Sequence, residues 1–199
     1  KDKNFISELS LNGHLASGVP GSVHGMYELH RWKGQLSWQE VLQPAIELAQ
    51  NGFELTERQA SIFNRFSQVF LEVNRHDIPL IKDGGWEKND ILYLPDLAET
   101  LKRIRDEGPN EFYRGKTAQL IIQEMESGGG IIDYEDLVRY QSRWRLPLKG
   151  KFKNYTIITM GPPSSGGVAL IQMLKGLEKF RLNQYKHNSA LYTHFLVEV

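Results

Sequence analysis

The sequence contains no cysteine. This absence excludes disulfide bonds, thiolate metal sites and a cysteine nucleophile. No apolar run approaches the roughly 18 residues that a membrane-spanning helix requires. Charge of one sign is not in excess either, because 24 Lys and Arg residues balance 24 Asp and Glu residues. Nucleic-acid-binding proteins usually carry a basic excess, so this balance argues against that class. Apolar residues make up 40% of the chain, which excludes wholesale disorder.

The first two thirds of the chain have the pattern of a helical protein. Apolar residues at helical spacing, separated by Gly and Pro, predict successive helices within residues 18–142. Capping boxes at Ser37–Glu40 and Thr56–Gln59 predict the starts of two of these helices. Pro44 lies inside the first and should kink it or mark its true start. The polar stretch 74–94 is predicted to be a long surface loop.

From residue 144 the hydrophobic period changes to that of strands. Tyr155–Met160 predicts a buried strand, joined to the preceding residues by a hairpin at about Lys151–Asn154. Pro162–Gly167 predicts a strand-to-helix turn, in which a Ser side chain or the turn itself caps the helix N-terminus.

Both ends of the sequence suggest a part of a longer polypeptide. Lys1 is not an initiator Met, and no signal-peptide core follows it. At the other end, Ser189 caps a predicted helix with Leu191, Phe195 and Val199 on one apolar face and no stop signal. We therefore expect these three side chains to lack their native cover in the isolated chain, which favours self-association.

These patterns predict the fold class and the organisation of the chain. Helices first and strands late indicate an α/β assembly, here a mostly helical α+β fragment. We expect a single partial domain over residues 1–199. Its helical region spans about 18–142, and a strand hairpin with following helices spans about 144–199.

The glycine-rich turn between the last strand and its helix invites two catalytic interpretations. Gly161 and Gly166 have the spacing of a phosphate-binding loop, but Gly167-Val168 stands where that loop needs Lys and then Ser or Thr. A nucleophile elbow at Ser165 is also incomplete, because Pro163 stands where that motif needs glycine. A plain strand-to-helix turn is the better interpretation.

The other polar candidates have structural interpretations as well. His24 and His30 are six residues apart, about 240° around a helix axis, so they cannot converge on one metal ion. A cluster of carboxylates is formed in the sequence by Asp133, Glu135 and Asp136. We interpret it as a solvated helix start, because the helix dipole alone favours acidic residues there. The glycosylation sequon at Asn154 falls in a predicted strand and is interpreted as fortuitous. From the residues alone, no catalytic, cofactor-binding or metal-binding residue is assigned.

Several motifs in the same order resemble the gamma-glutamyltranspeptidase family, also called glutathione hydrolases. They are Ala16–Gly25, Gln43–Phe53, Gly108–Gly115, Gly128–Leu137 and Pro162–Gly167, the last preceded by Gly161 in place of a family proline. The resemblance covers roughly residues 14 to 180. This segment is similar to the later part of the family's large subunit.

The resemblance implies an N-terminal-nucleophile hydrolase with a four-layer αββα fold. Family members are precursors that cut themselves into a large and a small subunit, and the small subunit begins with the nucleophilic threonine. The α-amine of that threonine acts as the base in forming a γ-glutamyl acyl-enzyme. The implied partners are a small subunit and a small γ-glutamyl substrate such as glutathione. The resemblance implies a periplasmic or cell-surface location and neither a cofactor nor a nucleic acid.

No catalytic residue of the family is carried onto this chain. The resemblance implies a nucleophile beyond Val199 and a carboxylate-binding arginine before Lys1. Thr193 precedes a His, as the family's nucleophile often does, but its surroundings resemble a helix well before the cleavage point. We therefore expect the isolated chain to be inactive. Because strands of the small subunit complete the sheet in this family, the resemblance also implies that Tyr155–Met160 has an unpaired edge or an uncovered apolar face in this chain alone. Two alternatives to a γ-glutamyl enzyme remain, namely a related amide acylase and a non-catalytic scaffold or binding module.

Overall fold

The computed structural model of the protein describes residues 7–74 and 76–199. The chain forms two compact units, unit 1 (Lys1–Ser142) and unit 2 (Arg143–Val199). The helices of unit 1 are α1 (Ser22–Lys33), α2 (Trp38–Asn51), α3 (Glu57–Val73), α4 (Pro95–Glu107), α5 (Pro109–Arg114), α6 (Lys116–Gly128) and α7 (Tyr134–Arg139). Its strands are β1 (Phe53–Glu54) and β2 (Ile91–Leu92), and its 3-10 turns are Ser7–Ser10 and His14–Ala16.

Unit 2 begins with a hairpin. Its strands β3 (Leu148–Phe152) and β4 (Tyr155–Thr159) precede the helices α8 (Gly166–Leu177) and α9 (Ala190–Val197), with a 3-10 turn at Leu182–Gln184. Within the ranges that the structure describes, no helix has the length and apolar composition that crossing a membrane requires.

Both predicted capping boxes begin their helices as expected. At α2 the Ser37 hydroxyl accepts from the Glu40 backbone N–H at 3.2 Å, and the Glu40 carboxylate accepts from the Ser37 N–H at 2.8 Å. Thr56 and Gln59 form the same reciprocal pair at the start of α3. Pro44 lies inside α2, so the prediction that it marks the true start is wrong. The complete cap at Ser37 determines the start instead.

The predicted loop 74–94 contains a short strand. Strand β2 pairs antiparallel with β1, placing Leu92 opposite Phe53, and Leu92 is 2% exposed. The prediction of a continuous surface loop is therefore wrong at these residues. Two residues are too few to show strand periodicity in a sequence.

One hydrophobic cluster of unit 1 lies around α6 and α7, and further buried side chains lie on α2 and α4. Ala118 of α6 packs with Ile132 and Leu137, and both Ala118 and Leu137 are fully buried. Asp133 caps α7, and Leu137 of this helix belongs to the cluster. Helix α5 was not predicted, since its six residues are too few to show a helical period.

In unit 2, one face of the hairpin packs against a helix and the other is open. Gly150 of β3 lies against Ile171 of α8, where an added Cβ would come within 3.1 Å of the Ile171 side chain. On the opposite face of β4, Ile158 is 64% exposed, and Met160 just beyond the strand is 70% exposed. The strand pattern predicted that both faces of Tyr155–Met160 are buried, and this is wrong because only one face is covered. The uncovered apolar face agrees with the expectation for a chain without the strands of the small subunit.

The predicted turn at Pro162–Gly167 joins β4 to α8, as expected. No Ser side chain caps the helix, since Ser165 occupies the N-cap position without a side-chain hydrogen bond. Gly167 is buried, and a Cβ there would overlap the carbonyl oxygen of Met160. The second glycine of the motif therefore allows α8 to start close against the end of β4.

The apolar face predicted on the last helix is partly covered. Leu191 of α9 is 54% exposed, in agreement with the prediction. Phe195 and Val199 are half-buried, so the prediction that they are uncovered is wrong. Phe195 stacks on Phe180 with ring centroids 4.5 Å apart, and Val199 lies beside Gly176.

Candidate functional site

A cavity of about 540 Å³ opens in unit 2 where β4 ends. Its walls come from the extended segment before β3, the end of β4 and the turn into α8. Because the two prolines of that turn have no backbone N–H, they end the ladder there. The side chains that shape the cavity include Arg143, Arg145, Leu146, Ile158, Met160 and Pro163.

Strand β4 has an unpaired edge beside this cavity. Phe152 and Tyr155 pair directly across the two-residue turn, which makes them a hydrogen-bonded pair. The alternation along an antiparallel ladder then directs the N–H and C=O groups of Thr156 and Ile158 away from β3. In the described part of the chain, no third strand joins this sheet.

Four cations surround the open face of the hairpin, and we call them the basic face: Arg143, Arg145, Lys149 and Lys151. The two arginines line the cavity with Ile158, and Lys149 lies directly opposite Ile158 in the ladder. Across residues 7–74 and 76–199, none of the four forms an ion pair. The sequence-based candidates did not include this group, because the net charge of the whole chain conceals it.

The two units carry opposite charge. Unit 1 holds 22 Asp and Glu residues against 15 Lys and Arg residues, whereas unit 2 holds two against nine. A chain with zero net charge therefore contains an acidic unit and a basic one. The unit with the basic excess, unit 2, is also the unit that holds the unpaired edge of β4.

The arrangement in unit 2 is suited to binding. No His, Asp or Glu is among the described residues that line the cavity, so its lining offers no side chain of the usual general-base types. Gly167 provides close packing between α8 and Met160, which gives the glycine-rich turn a structural role. The cavity combines an apolar wall with two unpaired guanidinium groups.

A smaller polar cavity of about 200 Å³ lies beside His24 in unit 1. The Nδ1 atom of His24 lies 2.7 Å from the Ser142 hydroxyl and also accepts the Ser142 backbone N–H at 3.3 Å. Tyr113 donates its hydroxyl to the Pro20 carbonyl at 2.7 Å and stacks on Tyr140. Burial raises the pKa of Tyr113 above its ordinary value of 10.0. The contacts of His24 therefore fix α1 to the last residue of unit 1.

The other sequence candidates have separate structural roles. His30 bonds the Leu36 carbonyl at 2.8 Å, so it does not converge with His24. Asp133 caps α7 by accepting the Asp136 N–H at 2.9 Å. Thr193 is exposed on α9. Asn154 lies in the exposed turn of the predicted hairpin, and the other two residues of the sequon lie in β4.

A buried carboxylate in unit 1 was missed by the sequence analysis. Glu111 of α5 is 2% exposed and accepts from Arg103 Nε at 2.9 Å. It also accepts from the Thr117 backbone N–H at 3.0 Å and from the Thr117 hydroxyl at 2.7 Å. These bonds join α4, α5 and α6, so Glu111 has a structural role. An acidic residue inside the Gly108–Gly115 motif was the signal for it.

Comparison with known proteins identifies the same relationship that the motifs indicate. The Gamma-glutamyltranspeptidase family profile matches residues 1–199. The solved gamma-glutamyltranspeptidase of Helicobacter pylori is 37% identical, with a TM-score of 0.93 over 99% of this chain and 58% of that chain. This likeness confirms the predicted fold class, a mostly helical α/β part of the N-terminal-nucleophile hydrolase fold.

Two curated relatives of similar identity to this chain are named for different enzymes. The "Glutathione hydrolase proenzyme" of Pseudomonas aeruginosa is 39% identical over 98% of this chain and 35% of its own length. The "Acylase ACY 1 proenzyme" of Pseudomonas sp. strain SE83 is 34% identical over all of this chain and 36% of its own length. The chain thus spans about a third of the length of these curated relatives. The profile match and these identities show that the chain belongs to the gamma-glutamyltranspeptidase family.

Proposed function

We propose that this chain is part of an enzyme that hydrolyses or transfers γ-glutamyl groups, with glutathione as a representative substrate. The observation that carries the proposal is the 39% identity to a glutathione hydrolase proenzyme across 98% of the chain. The backbone likeness to a gamma-glutamyltranspeptidase, with a TM-score of 0.93, supports it.

In the proposed reaction, a threonine outside residues 1–199 is the nucleophile. Its hydroxyl attacks the γ-glutamyl amide carbonyl while its own α-amine takes the proton. The C–N bond breaks, the amine leaves with that proton, and a γ-glutamyl ester remains on the threonine. Water hydrolyses this ester, or the amine of an acceptor amino acid or peptide takes the acyl group. Residues 1–199 contribute the scaffold, and no residue of this chain is assigned a catalytic role.

The proposed partner of this scaffold is a small subunit produced by cleavage of the same precursor. The unpaired edge of β4 and the exposed side chains of Ile158 and Met160 support such a partner. Burying one large apolar side chain contributes roughly 1.5–3 kcal/mol, so a cover over this face is favourable. The proposed location is the periplasm or the cell exterior. This proposal rests on membership of the family.

The second candidate is an amide acylase that acts on another acyl group. The 34% identity to an acylase proenzyme favours it specifically. A glutaryl group lacks only the α-amino group of γ-glutamyl. A comparison of these two acyl groups therefore tests whether the site recognises an ammonium ion. A site built to bind a polar group rejects an analogue that lacks it by up to about 10⁴-fold.

A matched pair of substrates tests the proposal on the full-length protein. We expect p-nitroaniline to be released from γ-glutamyl-p-nitroanilide with a kcat/KM at least 100-fold above that for glutaryl-p-nitroanilide. The reverse preference would support the acylase. Release from neither substrate by a correctly folded full-length protein would contradict a γ-glutamyl enzyme and an acylase for glutaryl groups, and would support a non-catalytic scaffold.

A further inference from the structure

The basic face has no counter-charge within its own unit. Unit 2 contains two carboxylates, and both are engaged elsewhere. Glu178 accepts the Lys153 backbone N–H at 2.9 Å, and Glu198 lies 3.9 Å from His194. Neither forms an ion pair with the basic face. The two lysines of β3 and the two arginines of the preceding segment therefore repel each other without compensation by the carboxylates of unit 2.

The centre of the same face is apolar and suited to being covered. Ile158 stands between Lys149 across the ladder and the two arginines of the cavity, with its side chain largely exposed. Covering Ile158 removes water from the neighbouring ammonium and guanidinium groups as well. Removing water from a charge is unfavourable unless an opposite charge meets it. A cover made of uncharged residues alone would leave the four cations uncompensated.

We infer that the basic face binds an acidic segment of the same polypeptide from outside residues 1–199, whose carboxylates pair with the face while its apolar residues cover Ile158. This inference rests on the proposed small-subunit partner and states the chemistry by which that partner is recognised. The matched segment is 35% of the length of the Pseudomonas aeruginosa relative, so relatives of this size have ample polypeptide for such a cover. Complementary charge also fixes the register of docking.

Zero-length cross-linking of the full-length protein tests the inference directly. A water-soluble carbodiimide joins an amine to a carboxylate that touches it, and mass spectrometry identifies the joined peptides. We expect Lys149 or Lys151 to be joined to Asp or Glu residues outside residues 1–199. Lys179 and Lys186 are matched controls, because both are exposed lysines of unit 2 outside the basic face. We expect acetic anhydride to modify Lys149 and Lys151 at least tenfold more slowly than these controls.

A pair of charge-reversal variants shows whether charge holds the segment in place. In R143E/R145E, the acidic segment is repelled, so the acetylation rates of Lys149 and Lys151 should rise at least tenfold. In K179E/K186E, the net charge changes equally but outside the face, so those rates should stay within twofold of wild type.

Three outcomes would overturn the inference. Acetylation of Lys149 and Lys151 as fast as the controls would show an open face. Cross-links to carboxylates within residues 1–142 would assign the face to the rest of this chain, and cross-links between isotopically distinct copies would assign it to self-association. None of these measurements uses a substrate. A protein without γ-glutamyl activity but with the expected cross-links would contradict the proposed function alone.

Discussion

The two units of this chain differ in how completely they bury their apolar side chains. Of the twelve buried apolar residues among those that the structure describes, eleven lie in unit 1 and Leu177 alone lies in unit 2. Unit 1 closes its core with side chains from several helices and with the carboxylate of Glu111. In unit 2, α8 covers one face of a hairpin, and the opposite face exposes Ile158.

This difference shows where each unit obtains its stability. Three helices of unit 1, α2, α3 and α7, begin at complete capping boxes, and the helices pack on one another, so the fold follows from contacts within the unit. Unit 2 has an uncovered strand and an excess of positive charge, both of which a partner segment would compensate. The same polypeptide thus combines a self-supporting unit with one that we propose is completed from outside.

The largest effect is expected from Glu111→Ala in unit 1. The change leaves Arg103 and the Thr117 backbone N–H without their buried acceptor, and breaking a buried ion pair costs about 3–5 kcal/mol. We expect the free energy of unfolding of unit 1 to fall by about that amount in urea denaturation. Glu107→Ala, an exposed position on the neighbouring helix, should change it by less than about 0.5 kcal/mol. Equal losses in the two variants would contradict the role of Glu111.

The next largest effect is expected from Gly167→Ala in unit 2. Its Cβ would overlap the Met160 carbonyl oxygen, so α8 must shift away from β4, and overpacking of this kind costs about 1–3 kcal/mol. Gly166→Ala is the matched control, because the nearest atom to its Cβ is the Ser164 hydroxyl oxygen at 3.7 Å. Hydrogen exchange across residues 148–177 should accelerate in the first variant and not in the second. Unchanged exchange in both would show that the close approach is unimportant.

A smaller effect is expected from pH, which should change the stability of unit 1 through Glu40. Hydrogen bonds from the Ser37 hydroxyl and then from the Ser37 backbone N–H hold the pKa of Glu40 below its ordinary value of 4.5. Because the folded pKa is depressed, the stabilisation is complete above about pH 4.5 and is lost as the pH falls through the folded pKa.

Exchanging the residues of the two capping boxes tests that assignment. Gln59 occupies in α3 the position that Glu40 occupies in α2 but carries no charge. Glu40→Gln should therefore reduce the loss of stability between pH 5 and pH 3, and Gln59→Glu should increase it. Urea midpoints at the two pH values measure both changes. Identical pH dependence in wild type and both variants would contradict the assignment.

No effect is expected from Thr193→Ala. Thr193 is exposed on α9, and its backbone N–H donates to the Ser189 carbonyl at 2.9 Å as an ordinary helical residue. The kcat for γ-glutamyl-p-nitroanilide in the full-length protein should stay within twofold of wild type. A loss of 100-fold or more in a correctly folded variant would place the nucleophile on this chain.

Local rules predicted unit 1 better than unit 2. Ser37, Thr56 and Asp133 carry their capping signals in the sequence, because a cap depends on residues three positions apart. Strand β2 and helix α5 were missed because two and six residues are too few to show a period. The uncovered face with Ile158 was expected from the family resemblance and not from the strand pattern, since an apolar strand looks alike whether one face or both are covered.

The basic face illustrates a different limit of sequence analysis. Arg143, Arg145, Lys149 and Lys151 are close in sequence, but they are significant because the hairpin register gathers them around Ile158. The net charge of zero argued only against a nucleic-acid-binding protein, and it did not reveal the opposite charges of the two units. Averages over a whole chain hide such asymmetry. Family resemblance identified the enzyme class but assigned no residue of this surface.

Amide hydrogen exchange at single-residue resolution in the full-length protein tests most directly whether unit 2 is completed from outside. The Ile157 N–H faces β3 and should be protected in any case, whereas the N–H groups of Thr156 and Ile158 face the unpaired edge. If another segment of the polypeptide pairs with β4, all three amides should exchange at least 100-fold more slowly than in an unfolded peptide. Protection of Ile157 together with free exchange of Thr156 and Ile158 would contradict the account.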